Sequence, residues 1–219
     1  MDYFDYRLTD DQIFLTGAKL KIQIAEADSI QTMLVSRQRE KLLNALIYFC
    51  ENVLYPGKTK LYKLLHYLDF LHYQETGRSV TGLDYYAWER GPVPVALHEE
   101  LERPKPDFIE HLLKQAQSLK NDKTRQALRA RKQFRSELFS PFELELIRML
   151  AKRHFRHSAD EMSEGSHFET GLWHQVWEVE QRKQGKIPYK YVLKRRGNKD
   201  DQGTLERAAD IKAFEEQFS

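Results

Sequence analysis

The stretch that most constrains this chain is residues 58–76, KTKLYKLLHYLDFLHYQET. Leu61, Leu64, Leu65, Leu68 and Leu71 recur at the spacing of one helical side, while Tyr62, His66, Phe70 and Tyr73 follow one another around the opposite side. A helix apolar or aromatic around most of its circumference has to be buried on several sides, so this one is predicted to be the central helix. Gly77 follows it, placed to end the helix in the left-handed conformation. Asp69 is the anomaly in this run. A carboxylate inside such a helix is costly unless paired or hydrogen-bonded. Lys63, Arg78, Arg90 and the Trp88 indole are its candidate partners, and an ion pair pinning the next strand to the helix is the favoured reading. A catalytic acid is the alternative, although no second group with an opposed pKa can be assigned beside it.

After Gly77 the period changes. Residues 78–82 read as a loop and 84–90, DYYAWER, as a short aromatic strand that ends at Gly91-Pro92-Val93-Pro94. Both prolines fix φ and push the preceding residues towards extended backbone, and a helix resumes from Val95 to Leu101. Upstream, Leu42, Leu43, Leu46, Ile47, Phe49, Cys50 and Val53 form a helical stripe stopping at Pro56-Gly57. Cys50 belongs to that stripe, with no histidine or lysine within a turn to stabilise a thiolate, and reads as a packed thiol.

Downstream, a helix is predicted through Phe108, Leu112, Leu113, Ala116 and Leu119. Residues 103–135 hold ten Lys or Arg against three acids, a net +7, including Arg129, Arg131 and Lys132. Such a segment could contact phosphates, but it lacks the interleaved aromatics of a single-strand binder, and a solvated basic face is favoured. Ser140-Pro141-Phe142-Glu143 and Ser158-Ala159-Asp160-Glu161 are two capping boxes. Trp173, Val176 and Trp177 share a helical side, Tyr189 to Leu193 reads as a short strand, and Thr204 to Phe218 as an amphipathic helix. Residues 1–35 read as a hairpin or an arm.

The fold expected is therefore mainly α: a compact multi-helix domain with a small antiparallel β element around residues 80–91. Three regions are expected, an N-terminal extension over 1–35, the main domain over 36–180 and a C-terminal extension over 181–219.

Hydrophobic residues at 41% can supply a core, while a net charge of +2 argues against a protein that coats nucleic acid. No apolar run reaches membrane-spanning length and the N-terminus is acidic, so a cytoplasmic protein is expected. His154, His157, His167 and His174 invite a metal reading. His154 and His157 straddle a predicted helix end and no cysteine joins the four, so no metal and no cofactor is expected. Phosphate-binding glycine loops, the Gly-x-Ser-x-Gly elbow and the kinase and dinucleotide fingerprints are missing.

The run 60–94, with its Lys-Leu-x-Lys-Leu-Leu helix start, Asp69 in an apolar run, Thr-Gly-Arg turn, aromatic strand and Gly-Pro-Val-Pro ending, resembles the Panacea domain of SocA-like antitoxins. The helix opening at Ser140-Pro141 and the segment with Ser166, His167 and Trp173 are similar to the family's second half. The resemblance implies a non-enzymatic protein that binds a cognate protein toxin and suppresses it, with a protease or chaperone as a further partner, in toxin–antitoxin or phage-defence biology. It marks Lys63, Asp69, Tyr85, Trp88, Arg90, Gly91, Pro92, His167 and Trp173 as scaffold or docking residues. Arg129, Arg131 and Lys132 would meet an acidic partner. The competing class is a nucleic-acid-binding transcriptional regulator using the basic 103–135 segment; a third is a hydrolase built on Asp69 and the histidines.

Overall fold

A computed structural model describes residue 33 and residues 36–118, 124–162, 171–195 and 200–217. Helix α1 (residues 36–52) presents Leu42, Leu43, Leu46, Ile47 and Phe49 inward, all buried. Helix α2 (Lys58–Thr76) then runs through the centre, with every residue from Lys60 to Phe70 buried. Leu64, Leu65 and Leu68 are wholly inaccessible, each contributing about 1.5–3 kcal/mol of burial. Gly77 ends α2 at φ 76° with its N–H donating to Tyr73 O, the left-handed cap its position foretold.

The chain returns as a tight hairpin, β1 (Tyr86–Trp88) against β2 (Gly91–Val93), in the register Tyr86↔Val93, Ala87↔Pro92, Trp88↔Gly91. Helices α3 (Val95–Glu102) and α4 (Pro106–His111) follow. Helix α5 (Pro141–Arg153) packs on α2, and both capping boxes form: Ser140 and Glu143 open α5, and Ser158 and Glu161 open α6 (residues 159–162). Helix α7 (Leu172–His174) continues into a wider π turn (Gln175–Val179) with Trp173 and Trp177 stacked at 5.5 Å. One core joins these elements, from Leu42 in α1 to Leu193 near the end. The protein is mainly α, with two small antiparallel sheets among the described residues.

Three expectations need correction. The helix foreseen from Phe108 to Leu119 stops at His111 and becomes β3 (Leu112–Ser118), paired antiparallel with β4 (Thr124–Ala130). Phe108, Leu112 and Ala116 lie four apart, a spacing that repeats on one side of a strand as well as of a helix, so the pattern did not discriminate. Residues Tyr189–Arg195 form a 3-10 turn and not a strand; Tyr189 stacks on Phe70 and Tyr73, and the strand-like bridge falls earlier, between Lys186 and Tyr86. The last helix, α8 (Asp200–Gln217), starts four residues before the expected Thr204. It buries Thr204 while leaving Leu205 exposed, because it packs on the α2 terminus through Thr204 and Ala208. The hairpin or arm expected over 1–35 lies outside the described residues save residue 33.

Charged side chains tie the helices together. Lys41 on α1 donates to both oxygens of Glu143 on α5, at 2.6 and 2.8 Å, while His72 on α2 stands 3.8 Å away. Burial works against the Glu143 carboxylate, but the hydrogen bonds from Lys41 and the Ser140 N–H outweigh it and hold its pKa below the ordinary glutamate range. Arg39 joins α1 to α3 and α4 through Glu100 and Asp107.

A Cβ on Gly77 would meet the backbone of Thr204 and Ala208 at 3.1 Å, in a conformation that L residues avoid. Gly77→Ala should therefore cost about 1–2 kcal/mol in urea unfolding and raise the amide-exchange rate of α8 before that of α2. Unchanged α8 protection would show that this contact does not hold the terminal helix.

Candidate functional site

The unit built from α2, the following loop and the β1–β2 hairpin centres on Asp69, which is completely buried. Its Oδ1 accepts the consecutive N–H groups of Val80 and Thr81, each at 2.8 Å. Oδ2 accepts the Thr81 hydroxyl at 2.5 Å and the Tyr85 hydroxyl at 2.7 Å. None of the cationic partners expected for it is used. Four donors from the returning chain replace a counter-charge, two adjacent amides forming a small anion nest. Burial pushes the Asp69 carboxyl up to about 6, against the downward pull of these four bonds. Burial and the nearby Asp69 raise the Tyr85 phenol well above its usual range, so it stays a donor.

Fixing Tyr85 fixes the strand beyond it. Ala87 N–H donates to Gly185 O, Gln184 N–H to Ala87 O and Ile187 N–H to Tyr85 O, so β1 lies between β2 and residues 184–187. The Trp173 indole N–H donates to Trp88 O at 2.6 Å, joining α7 to the hairpin. Pro92 is buried and Trp88 half-buried, whereas Arg90 at the hairpin tip is exposed. Gly91 sits at φ 119°, and the Lys63 side chain runs 3.5 Å from where its Cβ would be. His167 lies outside the described residues.

Lys63 is one of two buried cations on α2 facing helix ends. Its ammonium donates to Ala159 O at 2.7 Å. Lys60 donates to Leu54 O and Phe155 O, carbonyls just beyond the C-termini of α1 and α5, where helix dipoles favour positive charge. Burial lowers both ammonium groups to about 8, with Glu161 near Lys60 and Asp160 near Lys63 opposing the shift. Lys60 opens the Lys-Leu-x-Lys-Leu-Leu motif, but its burial was not foreseen from the sequence.

His66, also fully buried, has no hydrogen-bond partner at either ring nitrogen among the described residues. Burial and the Lys63 charge lower it to about 3, so it is neutral and serves as a ring between Phe70 and Tyr85, 4.3 and 5.2 Å away. Among the described residues no three metal-ligating side chains converge. His154 and His157 do meet, with Nδ1 atoms 3.0 Å apart, whereas His174 is exposed on α7. Burial pushes the Cys50 thiol up to about 12, the protonated and unreactive form.

Two surfaces flank this rigid unit. A cleft of about 770 Å³ lies beside the loop after α2, lined by Gln38, Arg39, Leu42, Leu83, Leu97 and Lys105 among others. The β3–β4 hairpin carries the basic set. Arg129, Arg131 and Lys132 are exposed; Arg131 donates to Ile109 O and Lys132 to Glu110 at 2.9 Å.

Asp69→Ala would leave two fixed backbone amides buried without an acceptor and should lower stability by about 3–5 kcal/mol. Asp69→Asn keeps an oxygen for the amides and offers an NH2 to hydroxyls that can rotate to accept, so its loss should be well below that of alanine. The folded carboxyl at about 6 stands above the ~3.9 of an unfolded chain, so the native state binds the extra proton between those values. Wild-type stability relative to Asp69→Asn should thus rise as pH falls from about 6 to 4, by on the order of 2–3 kcal/mol. Denaturant unfolding of both proteins at pH 7, 6, 5 and 4 tests this, and a difference that stays flat or shrinks towards pH 4 would refute it.

The family model for the antitoxin SocA-like, Panacea domain matches residues 61–174, just over half of the chain. That span begins on the first turns of α2 and ends on α7, so it takes in Asp69, its four donors and the Trp173–Trp88 bond. No curated protein and no solved structure matches the chain. By the match and by the motif residues it encloses, this chain belongs to the family of SocA-like antitoxins with a Panacea domain.

Proposed function

We propose that this protein is the antitoxin of a toxin–antitoxin or phage-defence pair, neutralising its cognate protein toxin by direct binding and without catalysis. One observation carries the reading beyond family membership. The motif residues Lys63, Asp69, Tyr85, Gly91, Pro92 and Trp173 are buried, and their polar groups bond to one another or to nearby backbone. Their role is then to stiffen a scaffold, which lowers the ordering cost of binding, and recognition falls to exposed surfaces around it. The basic β3–β4 hairpin suits an acidic face on the toxin, where charge speeds encounter more than it strengthens the final complex. A cytoplasmic complex of this kind could also present the toxin to a protease, or engage a chaperone, through a surface the toxin leaves free. No helix among the described residues is long and apolar enough to cross a membrane.

The test is co-expression with the product of the adjacent gene, read as growth rescue and co-purification. Both are expected, and Arg129→Ala combined with Lys114→Ala should slow association roughly tenfold at low salt and flatten its salt dependence. Rescue without a complex, together with a shift of the protein's own promoter DNA, would replace this reading with that of a transcriptional regulator acting through the same basic hairpin.

A further inference from the structure

Among the described residues, the β3–β4 ladder leaves one edge open. Arg131 N–H donates to His111 O at 2.9 Å, which makes the odd-numbered residues of β3 the closely bonded ones: Leu113 with Arg129, Gln115 with Ala127, Gln117 with Arg125. The N–H and C=O groups of Lys114, Ala116 and Ser118 consequently face away from β4. Strand β4 has its own outer edge engaged at the base, where Leu128 N–H donates to Pro56 O and Ala127 bridges Gly57. On β3 only the Leu112 N–H is taken, by Phe108 O, and no strand among the described residues pairs with the rest of that edge. Two strands alone are marginal in water, and an open edge is a template for a third.

We propose that this edge takes an extended, acidic strand of the toxin, extending the hairpin to three strands. The inference rests on the antitoxin reading and names the surface through which it works. Charge selects the occupant: Lys114 and Arg129 are exposed on the two strands, within a segment of net charge +7. A second copy of this chain would bring the same charges against themselves, which cross-strand pairing penalises. Lysine alone serves to keep a free edge unpaired, but here Leu113, directly opposite Arg129, is 47% exposed, and Ile109 at the hairpin base is 44% exposed. These apolar side chains beside the basic ones fit an incoming strand that alternates acidic and aliphatic residues.

Proline separates the two edges of β3. Ala116→Pro removes an outward N–H and leaves the ladder to β4 intact, whereas Gln115→Pro removes an inward one. With the adjacent gene's product as probe and full-length protein throughout, Ala116→Pro should keep the wild-type melting temperature yet bind about a hundredfold more weakly. Independently of any variant, the Lys114, Ala116 and Ser118 amides of the wild type should exchange more slowly in the complex than alone. Wild-type rescue and binding, with Ala116→Pro binding equally well and those amides unprotected, would overturn the edge while leaving the antitoxin reading in place. Absence of both rescue and binding by the wild type would remove that reading and this inference with it. Concentration-dependent dimers that Ala116→Pro abolishes, with no protection by the probe, would assign the edge to a second copy and overturn the proposal.

Discussion

The buried Asp69 carboxylate is the constraint from which the rest of the described motif follows. A charge with no access to water must be met by donors, and here they come from the segment leading into β1, 11 to 16 residues further along the chain. The two amides of Val80 and Thr81 determine where the chain turns after Gly77. The Tyr85 hydroxyl then determines where β1 starts, and β1 in turn carries the carbonyl of Trp88 to the Trp173 indole. Helix α2, the hairpin and α7 are held in one arrangement by hydrogen bonds whose loss would strand polar groups in the core. Hydrophobic burial of the surrounding leucines supplies compaction, but it is non-directional, and only the polar contacts select the register.

Positive charge plays the matching part at the other end of α2. Lys60 and Lys63 place ammonium groups against carbonyls at or beyond the ends of neighbouring helices, one of them shared between α1 and α5. Lys60 meets carbonyls beyond two helix C-termini, where backbone acceptors lack intrahelical donors, and Lys63 ties α2 to the first residue of α6. Together with Lys41–Glu143 and Arg39–Glu100, they give the helices ties that resist sliding. A scaffold of this kind offers a partner rigid surfaces, which is the physical requirement for binding without a large ordering penalty.

The basic segment shows how the same residues acquire a different meaning in three dimensions. As a run of charge it reads first as a solvated face, and a phosphate-binding patch or a docking surface would carry the same composition. As a hairpin it presents a backbone edge as well as a charge. That edge follows from the parity of the ladder, which depends on the pairing of His111 with Arg131 and not on composition.

Much of the architecture was legible in the residues themselves. The central helix, its Gly77 terminus, the aromatic strand of the small antiparallel β element after it and both serine capping boxes are encoded by local spacing and by side chains acting within a few residues. Asp69 could be singled out for the same reason, as a charge in an apolar run. Its partners could not: a sequence displays side-chain charges, so cations were the visible candidates, whereas the donors that meet it include backbone amides, which every residue but proline carries. The hairpin at 112–130 was hidden by a spacing of four that suits helix and strand alike, and the 3-10 turn at 189 by aromatic stacking on α2. Local patterning thus determined which segments form and which faces are apolar. Tertiary structure alone decided which backbone groups satisfy the buried charges and which strand edge is left open, because both depend on contacts between residues far apart in the chain.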